Sequence, residues 1–143
     1  MMKTVSKNDE VYAILITNDS IKDGSEWFGN QIESLQASRM SYPKGKSFKV
    51  HYHILNPRTI KRTQESFIVI SGKISVEVYG NSGELLDTLV ASAGEAIIVY
   101  RGGHGVKILE DSVCYEIKAG QFSYVSEDKE YRGEEKSCQE VSK

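Results

Sequence analysis

Histidine and cysteine are the scarce residues of this chain: three histidines and two cysteines among 143 residues. Two cysteines, Cys114 in an apolar run and Cys138 in a polar one, do not make the closely spaced framework of a small disulfide-stapled domain, so reduced thiols are expected. No charge sign dominates. Lys and Arg number 18 against 20 Asp and Glu, for a net charge of -2, which excludes both a basic nucleic-acid footprint and an acidic solvating composition. No apolar run approaches the roughly 18 residues of a membrane span, and "MMKTVSKNDE" at the start has neither an apolar core nor a small-residue cleavage site. The expectation is a cytoplasmic protein with no nucleic-acid or membrane partner. Sustained helical periodicity and internal repeats are missing too, which argues against a helical bundle or a solenoid.

Short apolar runs of strand length are plentiful. They begin at Val11, Leu35, Phe48, Ser66, Lys73, Leu85, Glu95, Gly105 and Val113, many of them alternate, and β-branched and aromatic residues fill them. Turn signals separate them: Asp23-Gly24, Ser71-Gly72-Lys73, Asn81-Ser82-Gly83, Gly102-Gly103 and Glu110-Asp111-Ser112. The pattern is that of an all-β sandwich or barrel. Residues 25–34 fit a helical turn or an irregular strand equally well. After Phe122 the sequence becomes charged and nearly free of aliphatic residues, so a single domain over residues 1–125 is expected, followed by a polar, mobile tail over 126–143.

Two of the three histidines lie one residue apart in "FKVHYHIL". On a strand, His51 and His53 share one face while Val50, Tyr52 and Ile54 share the other. Neutral imidazoles at that spacing can chelate one transition-metal ion, although two histidines on a sheet face can also be satisfied by solvent alone. Glu65 opens the next apolar run, and a hairpin between residues 49–55 and 65–71 would set its carboxylate beside the rings. Gln64 would then point away. The third histidine, His104, follows two glycines at the end of another run, so one site could use every histidine of the chain.

This arrangement resembles the cupin superfamily. Its first motif, G-x5-H-x-H-x3-4-E-x6-G, is matched by Gly45, His51, His53, Glu65 and Gly72, and its second, G-x5-P-x-G-x2-H, by Gly94, Gly102 and His104. There are two departures: eleven residues separate His53 from Glu65, and Tyr100 stands where proline is usual, with one residue fewer before His104. Extra loop length costs little closure entropy, and Gly102 and Gly103 give the backbone latitude. The phrases "TQESFIVISGKISVEVY", "RGGHGVKILED" and "YEIKAGQF" are similar to a little-characterised cupin group linked with bacterial surface-polysaccharide biosynthesis.

The resemblance implies a double-stranded β-helix, the cupin jelly-roll barrel, holding a divalent transition metal (iron, zinc, manganese or nickel) on His51, His53, Glu65 and His104. Such a centre would act on a small polar molecule, a sugar or sugar nucleotide among them, as a Lewis acid in an isomerase, epimerase or dioxygenase, with His51, His53 and His104 catalytic. Two alternatives stay open: a non-catalytic barrel that binds a small molecule or carbohydrate, and a metal-free sugar isomerase with a histidine general base. Arg62 and Arg101 stand nearest the ligands in sequence and are candidates to hold substrate phosphate or carboxylate. Arg58 and Lys61 read as solvated loop charges. Tyr100 could offer a proton or a ring face to substrate, although buried tyrosines ordinarily pack, and the same holds for Tyr115. Glu116 and Lys118 have only their parity to recommend them. Apolar Phe48, Val50, Tyr52 and Ile54 need a cover, from the N-terminal strands or from a second subunit, and a homodimer is expected.

Overall fold

Alternation becomes strand nearly everywhere it occurs. The computed structural model describes residues 2–19, 23–120 and 129–132, and among these there is no helix. The strands are β1 (Met2–Lys7), β2 (Glu10–Ile16), β3 (Gly24–Phe28), β4 (Ala37–Ser41), β5 (Glu65–Tyr79), β6 (Leu85–Ser92), β7 (Ala96–Val99) and β8 (Gly103–Lys118). Every pairing is antiparallel. Asn8 and Asp9 turn β1 into β2 with φ of 51° and 62°, the left-handed pair that a two-residue hairpin requires and that these residue types tolerate.

One sheet has the order β1-β2-β7-β5-β6, with β8 along the other side of β5, and β3 with β4 forms a separate hairpin. β7 and β6 lie end to end beside β5, the first on Glu65–Ile68 and the second on Lys73–Tyr79. The gap between them is bridged where Val69 N donates to Glu95 O (3.0 Å) and Gly94 N to Val69 O (2.7 Å). The sheet curls into a half-barrel: Lys3 on β1 reaches Asp87 on β6 at 2.8 Å, and Lys7 pairs with Glu84, so the two ends of the strand order come side by side.

β5 and β8 also fold over along their length. Lys118 sits opposite Glu65 and His104 opposite Val78, positions that a straight ladder at 3.3 Å per residue would hold roughly 40 Å apart. Yet His104 Nε2 lies 2.7 Å from a Glu65 carboxylate oxygen. Register shifts between Val69 and Ile74 make the bend, as bulges do in twisted sheets. Gly72 sits in it with φ of 78°, and a Cβ there would fall 2.2 Å from Asp111 O, so no side chain fits. Ser112 Oγ fastens the corner, accepting from Lys73 N at 2.9 Å and donating to Glu110 O at 2.6 Å. The corner brings Phe67 and Val69 into one core with Ile74, Val76 and Val78, joined by Leu89, Ala91, Ile97 and Val99. A smaller cluster of Ile14, Phe28, Ile98 and Tyr100 fills the space under the β3–β4 hairpin.

The turn signals at Ser71-Gly72-Lys73 and Glu110-Asp111-Ser112 are therefore the facing halves of one corner in continuous strands, and two pairs of expected strands merge into β5 and β8. Residues 25–28 are strand. Residues 48–55 are not: they run without regular structure, and the expected hairpin with residues 65–71 does not form, because β5 already has β7 on one side and β8 on the other. Of the expected tail, 126–143, only 129–132 lie within the described residues.

Candidate functional site

The corner turns alternate residues of both halves of β5 and β8 toward one concave face, and the polar members of that face collect at its mouth. Glu65 starts β5, with Lys118 directly opposite. The Lys118 ammonium donates to one carboxylate oxygen at 2.7 Å and His104 Nε2–H donates to the other at 2.7 Å. Lys118 also reaches Glu116, at 3.1 Å. The His104 ring lies 5.8 Å from the Phe67 ring, centroid to centroid, so the imidazole is braced on an apolar wall while part of it stays open to solvent.

Glu65 is 5% exposed, a depth at which an unpaired carboxylate would prefer to take up a proton. Here the hydrogen bond from His104, with that from Lys118 behind it, outweighs desolvation and holds the carboxyl at about 2. The same carboxylate raises the Lys118 ammonium above its ordinary value. The mouth therefore holds an ionised carboxylate between two hydrogen-bond donors, one of them the Lys118 ammonium that balances its charge.

His51 and His53 lie elsewhere. Their rings meet edge to face at 5.3 Å on an exposed segment, where His51 Nδ1 bonds to Lys49 O at 3.2 Å. The structure thus brings together two of the four expected ligands, Glu65 and His104, and separately the other two; no three histidine, cysteine or acidic side chains converge among the described residues. Gly45, Gly72, Gly94 and Gly102 all adopt positive φ, as turn glycines should.

Tyr100 and Arg101, expected at the substrate, are tied into the scaffold. Tyr100 is 1% exposed, and burial, with the nearby Glu33 charge, pushes its hydroxyl up to about 12. That hydroxyl has no hydrogen-bond partner among the described residues, and it occupies the place a Cβ on Gly29 would take, at 2.1 Å. Arg101 is clamped by Glu10 and Glu33. Arg62 is exposed in the loop before β5.

Lys118 and Glu33 are the residues that sequence reasoning passed over. For Lys118 the available signal was parity: with Tyr115 and Ile117 on one face, Glu116 and Lys118 had to share the other. Glu33, which holds both Arg101 and Gln64, has no such signal, since its loop follows no period. No helix among the described residues is long and apolar enough to cross a membrane. Comparison of the chain with protein-family models, with curated proteins and with solved structures finds no match in any of the three.

Proposed function

We propose that this chain is a metal-binding β-barrel protein of the cupin type that acts on a small polar molecule, such as a sugar or sugar nucleotide of surface-polysaccharide synthesis, in the cytoplasm. The observation that carries the reading is the meeting of Glu65 and His104 at 2.7 Å on the concave face, the carboxylate and the imidazole that the resemblance assigns to a metal. Donor chemistry fits: Glu65 is held ionised, and the His51–His53 pair supplies two further nitrogens on one short segment. Residues 48–55 would have to close over the mouth to complete the set. A bound iron, zinc, manganese or nickel ion would supply Lewis acidity for isomerisation, epimerisation or oxygenation.

The chain's own groups have definable roles in that reading. Lys118 neutralises Glu65 in the absence of a cation and can turn to a substrate anion when one arrives. Arg62, exposed at the loop leading into β5, can hold a phosphate or carboxylate. Phe67 excludes water from one side of His104. A metal-free reading is favoured by one feature: the hydrogen bond from His104 to Glu65 orients the ring as a carboxylate orients a general base, which suits a sugar isomerase. A non-catalytic binding barrel differs from both in predicting saturation without turnover.

Elemental analysis of untagged protein separates these. The metal reading expects a stoichiometric transition metal in the wild type and its loss in both the His51→Ala/His53→Ala double variant and His104→Ala. Unchanged metal content in either variant would show the ligand set to be wrong. A wild type without metal that isomerises a sugar and stops doing so in His104→Ala would establish the metal-free form.

A further inference from the structure

β8 is a 16-residue strand whose only partner among the described elements is β5. Its other edge, unpaired among the described residues, offers a row of backbone donors and acceptors, the usual template for strand addition. Along its C-terminal half, Val113, Tyr115 and Ile117 face outward and are 57%, 63% and 46% exposed, while Cys114, Glu116 and Lys118 share the concave face with Glu65. The same chain carries an unpaired segment of matching length and alternation. Val50, Tyr52 and Ile54 are 87%, 91% and 90% exposed, and His51 and His53 between them are exposed as well.

We infer that residues 48–55 of one copy of this chain add as a strand to the free edge of β8 in a second copy, Tyr52 beside Tyr115, in a reciprocal two-fold exchange. In this register each apolar residue of the segment lies beside one of the outward stripe, the kind of cross-strand aromatic and β-branched pair that stabilises sheets. A slip of one residue would instead set the apolar trio against Glu116 and Lys118. Tyr52 and Tyr115 are the middle members of their trios, so they meet whether the strands run parallel or antiparallel. The inference deepens the functional reading and rests on it in one respect: pairing turns His51 and His53 of one copy toward the face that holds Glu65 of the other, which makes the site a shared one.

The occupant is a second copy because the segment is exposed along its whole length in its own chain, and exchange satisfies segment and edge together once the irregular segment extends into a strand. Six exposed side chains at roughly 100 Å² each, counted on both copies, present at most about 1,200 Å², the low end for a stable interface, and the paired backbones of the two seams add to it. Reciprocal exchange of an identical element is also a low-cost route to a dimer.

A disulfide trap tests it. In a Cys114→Ser/Cys138→Ser background, the Tyr52→Cys/Tyr115→Cys variant, oxidised at micromolar concentration, should run as a covalent dimer on a non-reducing gel, with neither single-cysteine control doing so to a comparable extent. A disulfide closed within one chain would overturn the inference in favour of the chain's own segment, and no disulfide at all would overturn it outright. In parallel, sedimentation equilibrium should show a wild-type dimer and a folded monomer for Val50→Asp/Tyr52→Asp, whose substituted residues are exposed and leave the circular dichroism unchanged. A dimer that persists in that variant counts against the exchange. Neither readout depends on metal, so a failed metal assay and a failed exchange are told apart.

Discussion

Glu65 provides the most quantitative test of the site. Glu65→Gln keeps the shape and one hydrogen-bond acceptor, but replaces the other with an amide donor and removes the charge that His104 and Lys118 hold. A carboxyl depressed from 4.5 to about 2, at 1.36 kcal/mol per pH unit, corresponds to about 3 kcal/mol of stability at neutral pH. Its sign follows from the depression. The folded state binds this proton less readily than the unfolded chain, so the contribution is complete above the unfolded value near 4.5 and is lost as pH falls toward 2. Urea unfolding of wild type and Glu65→Gln at pH 7, 4 and 2.5, at one fixed protein concentration, reads the difference directly, because groups that titrate in both proteins cancel. The wild type should lead by about 3 kcal/mol at pH 7, with most of that advantage gone at pH 2.5. A difference that stays the same from pH 7 to 2.5 would show that the Glu65 charge is not held by these two partners, and the account of the mouth would fail with it.

Two further outcomes follow from the scaffold. Tyr100→Phe removes a buried hydroxyl that has no hydrogen-bond partner among the described residues, so it should be neutral or slightly stabilising in thermal unfolding; a loss above about 1 kcal/mol would mean that the hydroxyl is satisfied after all. Gly72→Ala must place a Cβ 2.2 Å from Asp111 O at a φ of 78°, which should cost at least about 2 kcal/mol in urea unfolding, and a cost near zero would show that the corner of β5 and β8 is not built as described.

Strands were legible in this sequence because alternation is a local property, and a strand's two faces are written into neighbouring residues. The corner was not. Ser71-Gly72-Lys73 reads as a hairpin turn, and only the pairing of both flanks with the same strand, β8, makes it a bend within β5. Nothing within the window of a turn says which strand the next segment will find. The site divides along the same line. Glu65 and His104 were legible as a pair of ligand types, and they do meet, since the corner that joins them is made by the glycine and serine already visible at 72 and 112. Lys118 was legible only by parity, because its role comes from lying opposite Glu65, a long-range register.

Residues 48–55 make the same point in reverse. Their alternation is among the clearest in the chain, yet alternation specifies two faces without specifying a neighbour, and a strand without a neighbour leaves its backbone to water. β5 has no side left to give them, whereas β8 has one among the described elements. A segment patterned for a sheet and an edge patterned for a strand, in one chain and both exposed, each cost solubility unless they are used. Pairing them removes both liabilities at once, and it carries the His51–His53 pair to the face where the buried, ionised Glu65 carboxylate already lies against the His104 imidazole.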